Sequence, residues 1–541
     1  MKEKRLQKDP GRGVRRRDIL KGAGIAAGAA LLSLAPGAVT AATAATSGRD
    51  WDREFDVLIV GSGFAGCAAA IAARRQGAST LVIEKMPVFG GNSAINGGAM
   101  AVAGSQLQKE KGIEDSVELM TADMLKGGRG TNNRELLRIV CAGTAEAFEM
   151  TREFGVKWLP LLLQFGGHSV QRTFQTENFT GGDITIPLME GGIKLGAVFK
   201  NRCKLEKIIT GDDGGVDGVL VREGYFFPDE QSGRLRRYKI KRGLVMCSGG
   251  YGADLVFRKM QNPTLDENVG CTNHEGATAE TFHSMLAVNA APVNTASFQL
   301  GPWASPDERG FGYAAQFNQQ AAFPYGIMVD IRDGKRFVNE NADRKTRADA
   351  QLRHCKDENG TIFYPVAFCS EPGIVKSPTI TFALKQGVAW KFESLEELAR
   401  FFGIPLEPLQ AQVDRFKGFV AKGRDEEFGK PIFDFDRALY LDKPPFYAMR
   451  AWPKVHFCQG GVAINTRAEV THMQSGQPIP RLYAAGECTG GIHGESRLGS
   501  CAIAETLVMG TIAGKNAALN AEQDTARTTA RNAAINAPLA G

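Results

Sequence analysis

The chain has 541 residues, 43% of them hydrophobic and 23% charged, an ordinary balance for a soluble globular protein. It excludes intrinsic disorder, a collagen-like repeat and a polytopic membrane protein, and it allows roughly two to four domains. The net charge of +6 sits in residues 1–45, which hold nine Lys/Arg against three acids, while the remainder holds 56 of each; no nucleic-acid surface is therefore expected.

The first segment ends in Arg15-Arg16-Arg17-Asp18-Ile19-Leu20-Lys21, followed by a Gly/Ala/Leu run to Ala35 and then Ala38-Val39-Thr40-Ala41-Ala42. The apolar run is too short and too glycine-rich to span a bilayer, which takes ~20 apolar residues. The arrangement resembles a twin-arginine export signal with Arg16-Arg17 as the pair. The resemblance implies a leader over residues 1–45 and a periplasmic protein with no transmembrane anchor. The ten cysteines are scattered, without CxxC or CxxCH, so zinc, cluster and haem-c motifs are absent and the cysteines read as buried thiols.

Phe55-Asp56-Val57-Leu58-Ile59-Val60 predicts a buried parallel strand. It runs into Gly61-Ser62-Gly63-Phe64-Ala65-Gly66, a helix over Cys67–Gln76, and a second strand, Ser79–Ile83, ending at Glu84. In this order each piece has a role. Gly61 makes the tight turn, Gly63 lets backbone approach a pyrophosphate, Gly66 allows close helix–strand packing, and Glu84 accepts from ribose hydroxyls. The unit predicts a dinucleotide site with Ala65 in its wall. A second glycine-rich loop follows, Lys85 to Met100, containing Gly91, Asn92, Ser93, Asn96, Gly97 and Gly98; a flavin needs such a loop and a nicotinamide does not. The excess of glycine (64 residues) fits many close backbone approaches to a bound group.

From this loop onward the chain resembles the FAD-dependent flavoprotein subunits of the fumarate reductase and succinate dehydrogenase family, in particular the soluble flavocytochrome c branch. The resemblance covers about residues 52–520. It rests on the strand into Gly249-Gly250, on Thr272 to Thr278 with its Gly276-Ala277-Thr278, and on Leu482 to Glu487 with its Gly486-Glu487 turn. Most specific is Thr489 to Ser500, ending in Arg497-Leu498-Gly499-Ser500, before an Ala-rich helix from Cys501 to Asn520 that includes Ala502 and Ile503. The resemblance implies an α/β fold: a Rossmann-like, glutathione-reductase-type FAD-binding domain with an inserted α+β cap domain. FAD-binding residues would span 46–297 and 447–520, the cap 298–446, and a frayed tail 521–541. No histidine lies between Glu84 and Ser105, so the FAD is expected to be non-covalent. Within the cap, a turn is expected at Asp333-Gly334, a helix from Asn341, and a capping box of Ser394 with Glu397 opening helices over 394–422. Phe401 and Phe402 are expected to face inward.

The family adds a hydride from reduced flavin to one carbon of an activated C=C bond and a proton to the other. The resemblance assigns Arg497 as the carboxylate clamp, its planar fork suited to bidentate binding, and Arg344 as the proton donor. His456 and Tyr325 are further pocket candidates, Tyr313 a weaker one. His274 and His493 fall in cofactor motifs, and His168 with Arg172 lies where relatives approach the flavin or the domain interface. No metal-ligand spacing appears. Departures bear on the substrate: Gly301, Gln319-Gln320 and Phe457 fall where fumarate-reducing relatives carry polar grips on a second carboxylate, and Phe323 where they carry a relay arginine. A pocket so altered predicts an unsaturated monocarboxylate with a bulky or aromatic distal part. Lacking a CxxCH motif, the chain is expected to draw electrons from a separate donor, a periplasmic cytochrome c. Three alternatives are a ketone or steroid desaturase running in reverse, a fumarate reductase proper, and a non-catalytic flavin electron carrier.

Overall fold

The structure, a computed structural model, describes residues 50–535; the twin-arginine leader expected over 1–45 lies outside them. Strand β1 (Arg53–Val60), helix α1 (Phe64–Arg75) and strand β2 (Thr80–Ile83) form a βαβ unit. β1 runs parallel to β2, Val57 beside Thr80 and Val60 beside Ile83. β2 pairs in parallel with β3 (Val198–Lys200), and β1 with β4 (Arg234–Met246). The buried halves of these strands are Val, Leu and Ile runs, as a sheet covered on both faces requires.

The turn from β1 into α1 demands glycine. Gly61 has φ +103°, and a Cβ there would lie 2.2 Å from the Cys247 carbonyl oxygen at the end of β4. Helix α1 is accordingly three residues longer at its start than the sequence suggested, beginning at Phe64.

A second sheet belongs to the segment expected as the cap. Strand β5 (Phe298–Gly301) opens it, followed by β6 (Ile327–Val329), helix α2 (Arg344–His354), β7 (Val366–Ser370) and β8 (Trp390–Phe392). Helices α3 (Leu395–Phe402) and α4 (Leu406–Lys422) precede β9 (Phe446–Arg450). Strands β6, β7, β9 and β8 form a four-stranded antiparallel sheet in that order. The sheet thus extends to Arg450, past the boundary placed at 446. The Asp333-Gly334 turn is present, with Gly334 at φ +68° and its N–H on the Asp330 carbonyl.

Three local expectations are corrected. Helix α2 starts at Arg344, not Asn341, because Asp343 caps it, its side chain accepting from the Lys345 and Thr346 N–H groups. Only half the capping box at Ser394 forms. Its side chain accepts from Glu397 N, but the Glu397 carboxylate turns to the Glu393 N–H. Phe401 is 53% exposed and Phe402 only partly buried, since Leu395, Leu398 and Ala399 supply the inward stripe of α3.

The chain then returns. β10 (Lys454–Cys458) pairs antiparallel with β5, Gln299 opposite Phe457. β11 (Pro478–Ala484) pairs in parallel with β4. Helix α5 (Cys501–Ile535) runs past residue 520, so the expected frayed tail is helical to Ile535, and residues 536–541 lie outside the described part. Small residues let α5 lie against α1: a Cβ at Gly510 would sit 2.5 Å from the Ala65 carbonyl oxygen, and one at Gly514 2.2 Å from that of Ala69. No described helix is long and apolar enough to cross a membrane.

Candidate active site

One continuous cavity runs from the β1–α1 turn, past the Lys85–Met100 loop, to the β5–β10 pair and the start of α5. Every expected cofactor position lines it except Gly66 and Gly98, which stand behind its wall. Gly66 packs on the turn, where a Cβ would lie 2.0 Å from the Gly61 carbonyl oxygen.

The phosphate-and-ribose end is built from backbone and short side chains. Glu84, at the tip of β2, accepts from Ser62 N at 3.2 Å, Ser62 Oγ at 2.7 Å and Met86 N at 3.0 Å. These contacts fix the carboxylate and leave acceptor capacity for a diol. Ser93 Oγ accepts from Phe64 N at 3.0 Å. Asn92 Oδ1 accepts from His274 N at 2.7 Å, which assigns His274 to loop geometry; its Nδ1 accepts from Gly276 N. Glu280 forms an ion pair with Lys85. A Cβ at Gly63 would meet Ser93 Oγ at 2.8 Å, and one at Gly276 would meet Met86 Sδ at 2.9 Å. A backbone-lined cradle with a fixed acid at its far end suits a dinucleotide such as FAD.

At the other end, Arg344 and Arg497 line the same cavity. Gln299 couples them. Its Nε2 donates to the Arg497 carbonyl at 2.9 Å, and its Oε1 accepts from Arg344 Nη1 at 3.5 Å. Among the described residues neither guanidinium has an acidic partner within ion-pair distance, which distinguishes them from Arg172 and Arg336, both buried against carboxylates. Arg497 stacks on Phe457 (4.7 Å to the ring centroid) and donates to the Leu498 carbonyl, and its Nε has no partner. Arg344 lies over Trp303 at 5.8 Å. Burial, then the charge of Arg497, holds Arg344 well below the usual guanidinium range; burial brings Arg497 down to about 10. Two desolvated cations without counterions are costly unless an anion joins them.

His456 lines the cavity beside them. Its Nδ1 pairs with Thr272 Oγ1 at 2.8 Å and its ring meets Trp303 edge-on at 4.9 Å. Burial, followed by the charges of Arg344 and Arg497, keeps it well below the ordinary imidazole range, hence neutral. Tyr325 is not part of the site. It is buried in the second sheet's core, its hydroxyl donating to Asp436 Oδ2 at 2.7 Å and its ring against Tyr440. Tyr313 stacks on Phe382 and also lies outside the cavity. His493 packs edge-on against Phe457, and burial pushes it down to about 3. His168 stands behind the wall, its Nε2 at 2.9 Å from the Gly499 carbonyl and its Nδ1 at 3.2 Å from Arg172; it supports the Arg497–Ser500 loop.

At position 301, where the sequence lost a polar side chain, the buried indole of Trp303 occupies the adjoining space. A Cβ on Gly301 would lie 2.9 Å from the indole ring. Phe311, Phe165 and Phe457 line the same end, with Gln316, Gln319 and Gln320 beside them. Trp303, Phe311, Phe165 and Gln316 were missed as wall residues; a Trp two residues after an unexpected glycine was the only sequence hint. Among the described residues no cluster of three or more His, Cys, Asp or Glu is placed to hold a metal.

Residues 56–503 match the family model for an FAD binding domain. The chain is 47% identical, over 501 residues, to the acrylate reductase flavoprotein subunit of Shewanella woodyi, covering 92% of this chain and 97% of that protein. It is 31% identical to the urocanate reductase of Eggerthella lenta, covering 86% of this chain and 75% of that protein. Among solved structures, the open conformation of a flavocytochrome c3 fumarate reductase superposes with a TM-score of 0.70 at 30% identity, covering 87% of this chain and 79% of that one.

Proposed function

The chain belongs to the FAD-dependent fumarate reductase flavoprotein family, whose members are oxidoreductases acting on C=C bonds, and from that premise we propose that it reduces a compact unsaturated monocarboxylate of acrylate size. The observation that carries the reading is the pair of guanidiniums, Arg497 buried and Arg344 half-buried, that line the cavity the glycine cradle opens with no carboxylate in ion-pair distance among the described residues. FAD, when bound in that cradle, supplies the hydride that one alkene carbon receives.

The chain's own residues do the rest. Arg497 takes the carboxylate bidentately, and the anion offsets the cost of burying its charge. It also stabilises negative charge developing toward the carboxylate as hydride adds. Arg344 gives a proton from its guanidinium to the other alkene carbon, and solvent replaces that proton in the next cycle. A free guanidinium is a poor acid. Burial and the second positive charge lower the cost of donation here. His456, oriented by Thr272, remains neutral and offers its second ring nitrogen to the carboxylate. Product is the saturated acid.

Size selection rests on Trp303, Phe311 and Phe457. They occupy the region where a second carboxylate would sit, and they provide no donors for it except Trp303 Nε1, itself buried. Fumarate would set its second carboxylate against these rings with only the uncharged amides of Gln316, Gln319 and Gln320 beside it and no cation, and an aryl acrylate would collide with the indole. The 47% identity to an acrylate reductase flavoprotein subunit supports the same size class. We further propose that residues 298–446 act as a cap domain. The basic leader is read as directing twin-arginine export to the periplasm, where a cytochrome c delivers electrons.

The test is anaerobic reoxidation of the photoreduced flavin by acrylate, fumarate and an aryl acrylate. Acrylate is expected to reoxidise it fastest. A faster reaction with fumarate or with the aryl acid would overturn the size assignment, and no reaction with any enoate would overturn the activity.

A further inference from the structure

We propose that Arg129 is a positioning residue that ties the segment carrying Arg344 to the segment carrying Arg497. The inference rests on the reading that those two arginines hold the substrate between them. Arg129 follows the helix Val117–Gly127 in the run Gly127-Gly128-Arg129-Gly130-Thr131. Its φ is +55°, a left-handed conformation that a non-glycine residue adopts only against steric cost and that often marks a functional position.

That backbone aims the side chain across a seam. Arg129 Nη2 donates to Thr346 Oγ1 at 3.5 Å and lies 3.7 Å from Asp343 Oδ1, while Nε lies 3.7 Å from Glu495 Oε2. Asp343 immediately precedes Arg344 and caps α2. Glu495 is two residues before Arg497, and its N–H donates to the Gly128 carbonyl at 3.1 Å. Ser496 closes the bridge, its Oγ donating to Asp343 Oδ1 at 3.3 Å and accepting from Gln299 Nε2 at 3.4 Å. One cation therefore engages two carboxylates, each within two residues of a cavity guanidinium. The amide that joins the guanidiniums touches the same cluster.

The bridge suits registration rather than permanent locking. Arg129 is 44% exposed and Glu495 equally so, so water and salt weaken both pairs. Its contacts are longer than contact ion pairs, and it can release when substrate enters or product leaves. Lost registration would spread Arg344 and Arg497 apart without removing either.

The experiment uses the FAD-loaded full chain and compares wild type with Arg129→Gln, Arg129→Lys, Asp343→Asn and the Arg129→Gln/Asp343→Asn double variant. Arg129→Gln is expected to raise KM for acrylate by about twofold to fivefold, the range for exposed pairs acting on one geometry, with a smaller change in kcat. Raising salt to about 0.5 M should raise wild-type KM more steeply than that of Arg129→Gln, because screening removes what the variant already lacks. Lysine should restore part of the loss, and the double variant should be no worse than the weaker single one. Amide exchange over residues 341–350 and 491–500 should quicken in Arg129→Gln at an unchanged melting temperature. Unchanged exchange in both segments would overturn the proposal even if no enoate were turned over, an outcome that would separately overturn the proposed reaction. Unchanged KM and salt dependence in an enzyme that does reduce acrylate would overturn it as well.

Discussion

Arg344 and Arg497 both line the cavity with no carboxylate within ion-pair distance among the described residues, and that placement is informative at the level of single side chains. Arg497→Met is expected to cut kcat/KM on acrylate by about 100- to 1,000-fold, in the range for removing one transition-state donor, with FAD content unchanged on absorbance. Full activity in that variant would leave the clamp without support. Because burial brings Arg497 down to about 10, the clamp is charged below that pH and discharged above it. KM should therefore be flat to about pH 9 and climb beyond pH 10, which initial rates would show. Glu505 gives a second titration. Burial pushes its carboxyl up to about 8, from an unfolded value near 4.5. The folded state thus holds the proton more tightly, so stability is greatest below the unfolded pKa and falls as pH rises from 4.5 toward 8. Glu505→Gln should raise Tm by ~1–3 °C at pH 8 and leave it nearly unchanged at pH 4.5; an equal shift at both would contradict this. Residue by residue, the arginines were legible because their flanking motifs are specific. Trp303 was not, since only packing shows that an indole from two residues along occupies the space over Gly301. Tyr325 misled for the converse reason: its hydroxyl finds Asp436 in a core that sequence does not reveal.

Elements decide whether those side chains meet. The β1–α1 turn was legible because strand, glycines, helix and acid follow in order, and each constraint is local. Gly61→Ala should reduce bound FAD sharply, since a Cβ there would lie 2.2 Å from the Cys247 carbonyl in a left-handed backbone; flavin absorbance per protein at wild-type levels would count against that role. At the far end, α5 begins directly beside Arg497 and is pressed onto α1 through Gly510 and Gly514. Gly514→Val should lower Tm and loosen both the cradle and the clamp together. The start of α2 was misplaced by three residues because Asp343, not an earlier residue, is the cap. The exposed face of α3 was misassigned because Leu395, Leu398 and Ala399 set its inward stripe, which leaves Phe401 on the outer side.

Across the whole molecule, the parallel sheet supplies the cradle and the second sheet supplies α2 with Arg344. The β5–β10 pair brings both chain segments to one cavity. The fold class was legible from motifs spread over residues 52–520, since a dinucleotide cradle constrains sequence strongly. The proposed substrate size was not, because that proposal rests on how aromatic rings from separate elements share one volume, which sequence spacing does not encode. Trp303→Ala tests that dependence: it should admit an aryl acrylate and weaken acrylate turnover, whereas continued exclusion of the larger acid would mean that other groups set the limit.

The most direct test is flavin reoxidation followed under anaerobic conditions in wild type and in Arg497→Met, each photoreduced and mixed with acrylate. Rapid return of oxidised flavin absorbance in wild type and its near absence in the variant is the predicted result. Equal rates in the two proteins would contradict the account, because an unpaired guanidinium that does not hold the acid would have no part in its reduction.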